Sequence, residues 1–148
     1  MDLTLFYIVI LTLIFLVDIR DRRIRNVVAL PGTLVAVGVG LVNGREAFMI
    51  SLSGAIVGFL FFYGLYWIGG KLYGPGALGF GDVKLAMLLG AILGLQLILT
   101  TLSLGMLLAG VTSVILLLAK TGNRQSALPY GAFLALAGIT VLIWTNVN

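Results

Sequence analysis

Between Lys84 and Lys120 lie 35 consecutive residues, Leu85 to Ala119, without a single charged side chain. A helix crosses a bilayer's hydrocarbon core in roughly 20 residues. The run is therefore long enough for two short spans joined by a tight turn, expected near Gly94 to Gln96. The rest of the chain is built alike: 61% of its residues are hydrophobic and 9% charged, against about 25% charged in an ordinary soluble domain. A water-soluble fold of this size could not bury so much apolar surface. The fold class is all-α, a polytopic membrane protein, because only helices pair every backbone amide of a single chain at bilayer depth without closing a barrel.

Six spans are expected: roughly Leu3–Val17, Val27–Val42, Ala47–Ile68, the two within Leu85–Ala119, and Ala132–Trp144. The first is read as a permanent span, because a Met-Asp start has no basic leader region and no small-residue cleavage site follows. The connections are too short to fold alone, so residues 1–148 form one domain. Gly54, Gly58, Gly105 and Gly110 suit close helix contacts, or reflect ordinary membrane-helix composition.

The charges orient the six-span bundle. Alternating loops place Arg20, Arg22, Arg23, Arg25, Lys71, Lys84, Lys120 and Arg124 on one side and Arg45 on the other, eight of nine basic residues. By the positive-inside rule the first, third and fifth loops are cytoplasmic and both termini lie outside. The net charge of +4 follows from these loops, and no nucleic-acid partner is expected.

The chain contains neither cysteine nor histidine. That removes thiolate nucleophiles, cysteine metal sites, and the commonest general base and zinc ligand. Acid–base chemistry falls to carboxylates, tyrosines or lysines. Of the five acids, Asp2 and Glu46 fall on the outer face, while Asp18, Asp21 and Asp82 fall on the cytoplasmic face.

Asp18 closes the first span and faces the negative end of its helix dipole, whereas Asp82 opens the fourth and faces a positive end. Lys84, two residues on, adds positive charge beside Asp82. The two environments push their carboxylates in opposite directions, as an acid/base pair needs. Gly79 and Gly81 flank Phe80 just before Asp82 and would let an extended peptide lie close to the backbone. Plainer readings stand beside these. Asp82 could be only a helix cap, Asp18 a boundary charge paired with Arg22 or Arg23, and Asp21 a solvated loop charge. The basic cluster reads as a topology anchor, and Tyr73, Tyr130 and Trp144 as interface aromatics. The glycine-rich stretch from Gly69 to Gly81 lacks the Gly-Lys-Ser/Thr ending of a nucleotide loop.

Three segments resemble, in order, the sequence blocks of the type IV prepilin peptidases. Asp18-Ile-Arg-Asp-Arg-Arg-Ile-Arg-Asn26 is similar to the first, an aspartate at a helix end followed by a short polar stretch. Gly79-Phe-Gly-Asp-Val-Lys-Leu85 resembles the Gly-x-Gly-Asp block, an idea shared by presenilin and signal peptide peptidase. Leu128-Pro-Tyr-Gly-Ala-Phe-Leu-Ala-Leu136 resembles a third block, Pro-Phe-Gly-Pro-Phe-Leu-Ala. The resemblance covers essentially the whole chain. It implies a plasma-membrane aspartic endopeptidase without cofactor or metal, in which the aspartates at Asp18 and Asp82 are catalytic. A water held between them would attack the scissile carbonyl, and Gly79, Gly81 and Lys84 would support the site.

The substrates implied are prepilin-like precursors, pilins and pseudopilins, whose short basic leader is cut on the cytoplasmic side just before an apolar helix. A preflagellin-type peptidase of the same fold would carry the same residues. A non-catalytic carrier or assembly protein would instead want ionisable groups at mid-membrane, which these spans lack. Two departures stand out: Arg25 replaces the usual proline of the first block, and Ala132 the second proline of the third. Both are expected to leave the two aspartates untouched. Larger family members add a cysteine-bearing cytoplasmic region and N-methylate the mature pilin. This chain resembles the short, peptidase-only members, so no methyltransferase activity is expected.

Overall fold

The computed structural model of the chain describes residues 3–21, 26–74, 78–118 and 130–147. Asp2, Arg22, Arg23, Arg25, Pro75, Lys120, Arg124 and the rest of the loop to Pro129 lie outside them, as do the side chains of Asp21 and Tyr73. Five helices make up the described residues: α1 (Leu3–Asp21), α2 (Asn26–Val42), α3 (Arg45–Tyr73), α4 (Phe80–Leu118) and α5 (Tyr130–Val147). Four contain apolar stretches long enough to cross a membrane, Leu3–Arg20, Arg45–Leu72, Phe80–Leu116 and Tyr130–Val147, and α2 adds the shorter Val28–Val42. The chain is a multi-pass helical membrane protein.

Helix α4 is two segments rather than one rod. Gly94 breaks it with φ 74° and ψ 175°, a left-handed conformation that glycine alone adopts without strain. A Cβ placed on Gly58 would touch both the Ala86 carbonyl and, at 3.5 Å, Cγ1 of Ile98. Twelve residues of unbroken helix would hold those two groups about 18 Å apart. The chain therefore doubles back sharply at Gly94, within the stretch from Gly94 to Gln96 where a turn is expected. The break leaves the last carbonyls of the first segment without their usual amides. The Ser51 hydroxyl of α3 donates to one of them, the Ala91 carbonyl, at 2.6 Å.

The first segment of α4 is the hub. Val83, Leu85, Ala86, Leu88 and Leu89 are all fully buried. Helix α2 meets this segment where Gly32 faces Leu88, and α5 where Gly138 faces Leu89 and Leu11 of α1. On the α3 side a Cβ on Gly54 would strike the Gly90 carbonyl oxygen, and one on Gly90 would strike that of Gly54. Only glycine at both positions permits that backbone contact. Lipid offers no hydrophobic drive between helices, so such close van der Waals packing carries much of the association.

Several hydroxyls within the helices bond back to their own backbone. Thr12, Thr33, Thr101, Ser103, Thr112 and Thr140 each donate to the carbonyl four residues earlier, which avoids the cost of a bare hydroxyl in hydrocarbon. Among the described residues no buried side-chain nitrogen or oxygen lacks a partner.

Candidate active site

Pairings along the helices fix which ends meet. Helix α3 runs against the first segment of α4, with Gly54 beside Gly90, Gly58 beside Ala86 and Tyr66 against Phe80. Helix α5 runs against α1, with Gly138 beside Leu11 and Ala132 beside Asp18. The end of α1, the start of α4 and the start of α5 therefore share one end of the bundle. The Gly94 turn lies against Ile50, near the start of α3, at the other.

At the shared end sit Asp18 and Asp82, 4% and 8% exposed. A carboxylate loses several kcal/mol of solvation on such burial unless partners replace the water. The partners differ. Asp82 is the third residue of α4, and its own loop supplies them. Its amide donates to the Gly79 carbonyl at 3.0 Å, and its carboxylate takes a backbone hydrogen bond from Gly79. The carboxylate supplies one half of a capping box, a side chain in the first turn reaching back to the residue before the helix, while a backbone turn bond takes the place of the other half. A Cβ on Gly79 would stand 3.2 Å from Asp82 Oδ2, so the glycine leaves room for the carboxylate.

Asp18 lies one turn before the described end of α1, further inside the helix than its sequence position as a span terminus suggests. The backbone amide of Ala132, in the first turn of α5, donates to its Oδ2 at 2.7 Å. Two sequence expectations change with this bond. The C-terminus of α1 is not the sole helix end acting on Asp18, because the N-terminus of α5 faces it too, and the opposed helix-end environments of the two aspartates are thereby evened. The Ala132 departure also does touch the pair, since a proline at this position would have no N–H to donate.

The two carboxylates lie near enough to interact electrostatically, and Asp82 likewise acts electrostatically on Tyr130. Tyr130 packs its ring on the fully buried Phe62 at 6.4 Å between centroids. Read from the sequence as an interface aromatic, it borders this site; the third block carries phenylalanine there, so no pattern marked the hydroxyl. Lys84 does add positive charge near the start of α4, with its Nζ 4.9 Å over the Phe80 ring. Phe80 in turn packs edge-on against Tyr66 at 5.5 Å, so the start of α4, with Gly79 just before it, is braced on α3. Among the described residues no group of three or more His, Cys, Asp or Glu could hold a metal ion.

Residues 5–118 match the sequence model of the type IV leader peptidase family. The chain belongs to that family. The match takes in Asp18, Asp82 and the Gly-x-Gly-Asp loop and stops before α5. Curated relatives include proteins named prepilin leader peptidase/N-methyltransferase. The one from Pseudomonas putida is 31% identical over 87% of this chain and 45% of its own length. The one from Xanthomonas campestris is 32% identical over 88% and 45%. A third, from Myxococcus xanthus, reaches 35% identity over 64% of this chain and 30% of its own. The chain thus spans less than half the length of the relatives it matches. No solved structure matches it.

Proposed function

We propose that this family member is an aspartic endopeptidase that removes the leader from prepilin-like precursors, with Asp18 and Asp82 as its catalytic pair. The observation that carries the reading is the convergence of two buried carboxylates from α1 and α4, within electrostatic reach of each other at one end of the bundle. Two carboxylates so placed titrate as one unit and can hold a single proton between them. The charged member takes a proton from a water as that water's oxygen adds to the scissile carbonyl carbon. The protonated member gives its proton to the carbonyl oxygen. When the tetrahedral adduct collapses, the C–N bond breaks, the amine leaves with a proton, and the pair returns to one shared proton.

Gly79, Phe80 and Gly81 are the surface on which an extended peptide would lie, and Lys84 supports the start of α4. We take the two arms of α4 as separate crossings, which gives six spans in a single domain. Both termini then lie outside the plasma membrane, and the shared helix ends, with the active site, face the cytoplasm. The relatives' name also carries N-methyl transfer, and the proposal is confined to the peptidase. Mass spectrometry of a cleaved precursor should find its new N-terminus unmethylated when this chain acts alone.

The experiment is cleavage of a co-expressed prepilin by Asp18→Asn and Asp82→Asn variants, with membrane insertion checked by blotting. Each should insert normally and leave the precursor uncut. Wild-type cleavage by either variant removes that residue from the pair. A preflagellin in place of the prepilin tests the other substrate class: preferential cleavage of it would move the substrate assignment and leave the chemistry standing.

A further inference from the structure

We infer that the first turn of α5 belongs to the working site, and that the Ala132 amide is the positioning group for Asp18. The inference rests on the aspartic-peptidase reading above and adds a residue to it. The bond is short, buried, and closes a contact between residues 114 positions apart. Ala132 is itself buried, so water cannot readily replace the donor. The amide is one of the four that every helix leaves unpaired at its start, which makes it free to serve a group outside its own helix. A carboxylate held there gains a charge-assisted hydrogen bond and the positive end of the α5 dipole.

Asp82 is positioned by Gly79, just before its own helix, whereas among the described residues the Asp18 carboxylate takes its hydrogen bond from α5. Orientation of the Asp18 carboxylate therefore passes to α5. The turn is itself fixed, by Tyr130 on Phe62 and by Gly138 against Leu89 and Leu11. The bond is possible because residue 132 is not a proline and has an N–H to give. Catalytic groups misplaced by a fraction of an ångström lose rate steeply, so the amide should act on turnover and leave substrate binding alone.

The test removes the N–H in two ways. Ala132→Pro does so at a first-turn position where a helix tolerates proline. Lactic acid in place of Ala132, introduced by nonsense suppression, turns the amide into an ester and adds no ring. Ala132→Gly keeps the donor. Steady-state cleavage of a purified precursor should show kcat about tenfold lower for both N–H-deleted proteins, with KM within about twofold of wild type. The glycine variant should keep wild-type kcat within about threefold. Helix content and thermal unfolding in detergent identify a variant that has failed to fold, and the ester protein then decides alone. An ester protein with wild-type kcat would overturn the inference, as would a loss for glycine equal to that for proline. If Asp18→Asn cleaves normally, the aspartic reading itself falls; if Asp18→Asn is inactive while the ester protein is fully active, only the role of α5 falls.

Discussion

The two carboxylates at the shared end of the bundle are held by opposite strategies. Asp82 is set by one residue three positions earlier, through the backbone of Gly79 just before α4. Asp18 is set by an amide 114 positions away on another helix. A sequence announces the first arrangement and hides the second. A local cap leaves a pattern, glycine, any residue, glycine, aspartate, that is read in a single glance. A bond to a distant backbone amide leaves none, because every residue except proline has that amide.

The two differently built halves should act as one. Asp18→Asn and Asp82→Asn should each lower kcat by roughly 10³-fold or more, and the double variant should be no slower than the worse single one. Additive losses, measured on one precursor, would mean that the two carboxylates work independently. Next comes the hub on which both halves hang. Gly90→Ala drives a methyl into the Gly54 carbonyl and should destabilise the bundle by about 1–3 kcal/mol, read as a lower unfolding temperature in detergent. Unchanged stability would show that α3 and α4 separate freely, and neither half could then rest on their contact.

The local half can be perturbed alone. Gly79→Ala places a methyl 3.2 Å from Asp82 Oδ2 at an exposed position, so folding should be spared while kcat falls about three- to tenfold. A variant with full activity would show that Asp82 does not depend on its loop. The smallest change is expected from Tyr130→Phe, which keeps the ring on Phe62 and removes the hydroxyl near Asp82. A loss of about two- to fivefold in kcat fits a neighbour of the site. A loss as large as that of Asp82→Asn would place the hydroxyl in the chemistry itself.

Much of the fold was legible because membrane constraints are severe. The uncharged run from Leu85 to Ala119 is too long for one crossing, so a turn within it follows from length, and the chain does double back at Gly94. Asp82 was legible as a capping residue for the same local reason. The helix ends were less so: α1 and α3 extend several residues past their apolar cores, because polar residues at a membrane boundary continue a helix as readily as they end it. The part played by α5 was hidden. Ala132 and Tyr130 look ordinary in sequence, since one acts through its backbone and the other through a hydroxyl on a ring that suits an interface equally well. Lys84 illustrates a middle case: its charge near Asp82 was legible, but its seat over the Phe80 ring depends on the turn geometry of α4.

Asp18 and Asp82 should face each other across one small space. The chain has no cysteine, so an Asp18→Cys, Asp82→Cys double variant carries only two thiols. Treated in membranes with a short, permeant bifunctional maleimide and read by mass spectrometry, it should form an intramolecular link in most molecules. An Asp18→Cys, Val42→Cys pair, whose second thiol sits at the Gly94 end, should form none. Two thiols at positions 18 and 82 that each react with a monofunctional maleimide yet never become linked to one another would contradict the account.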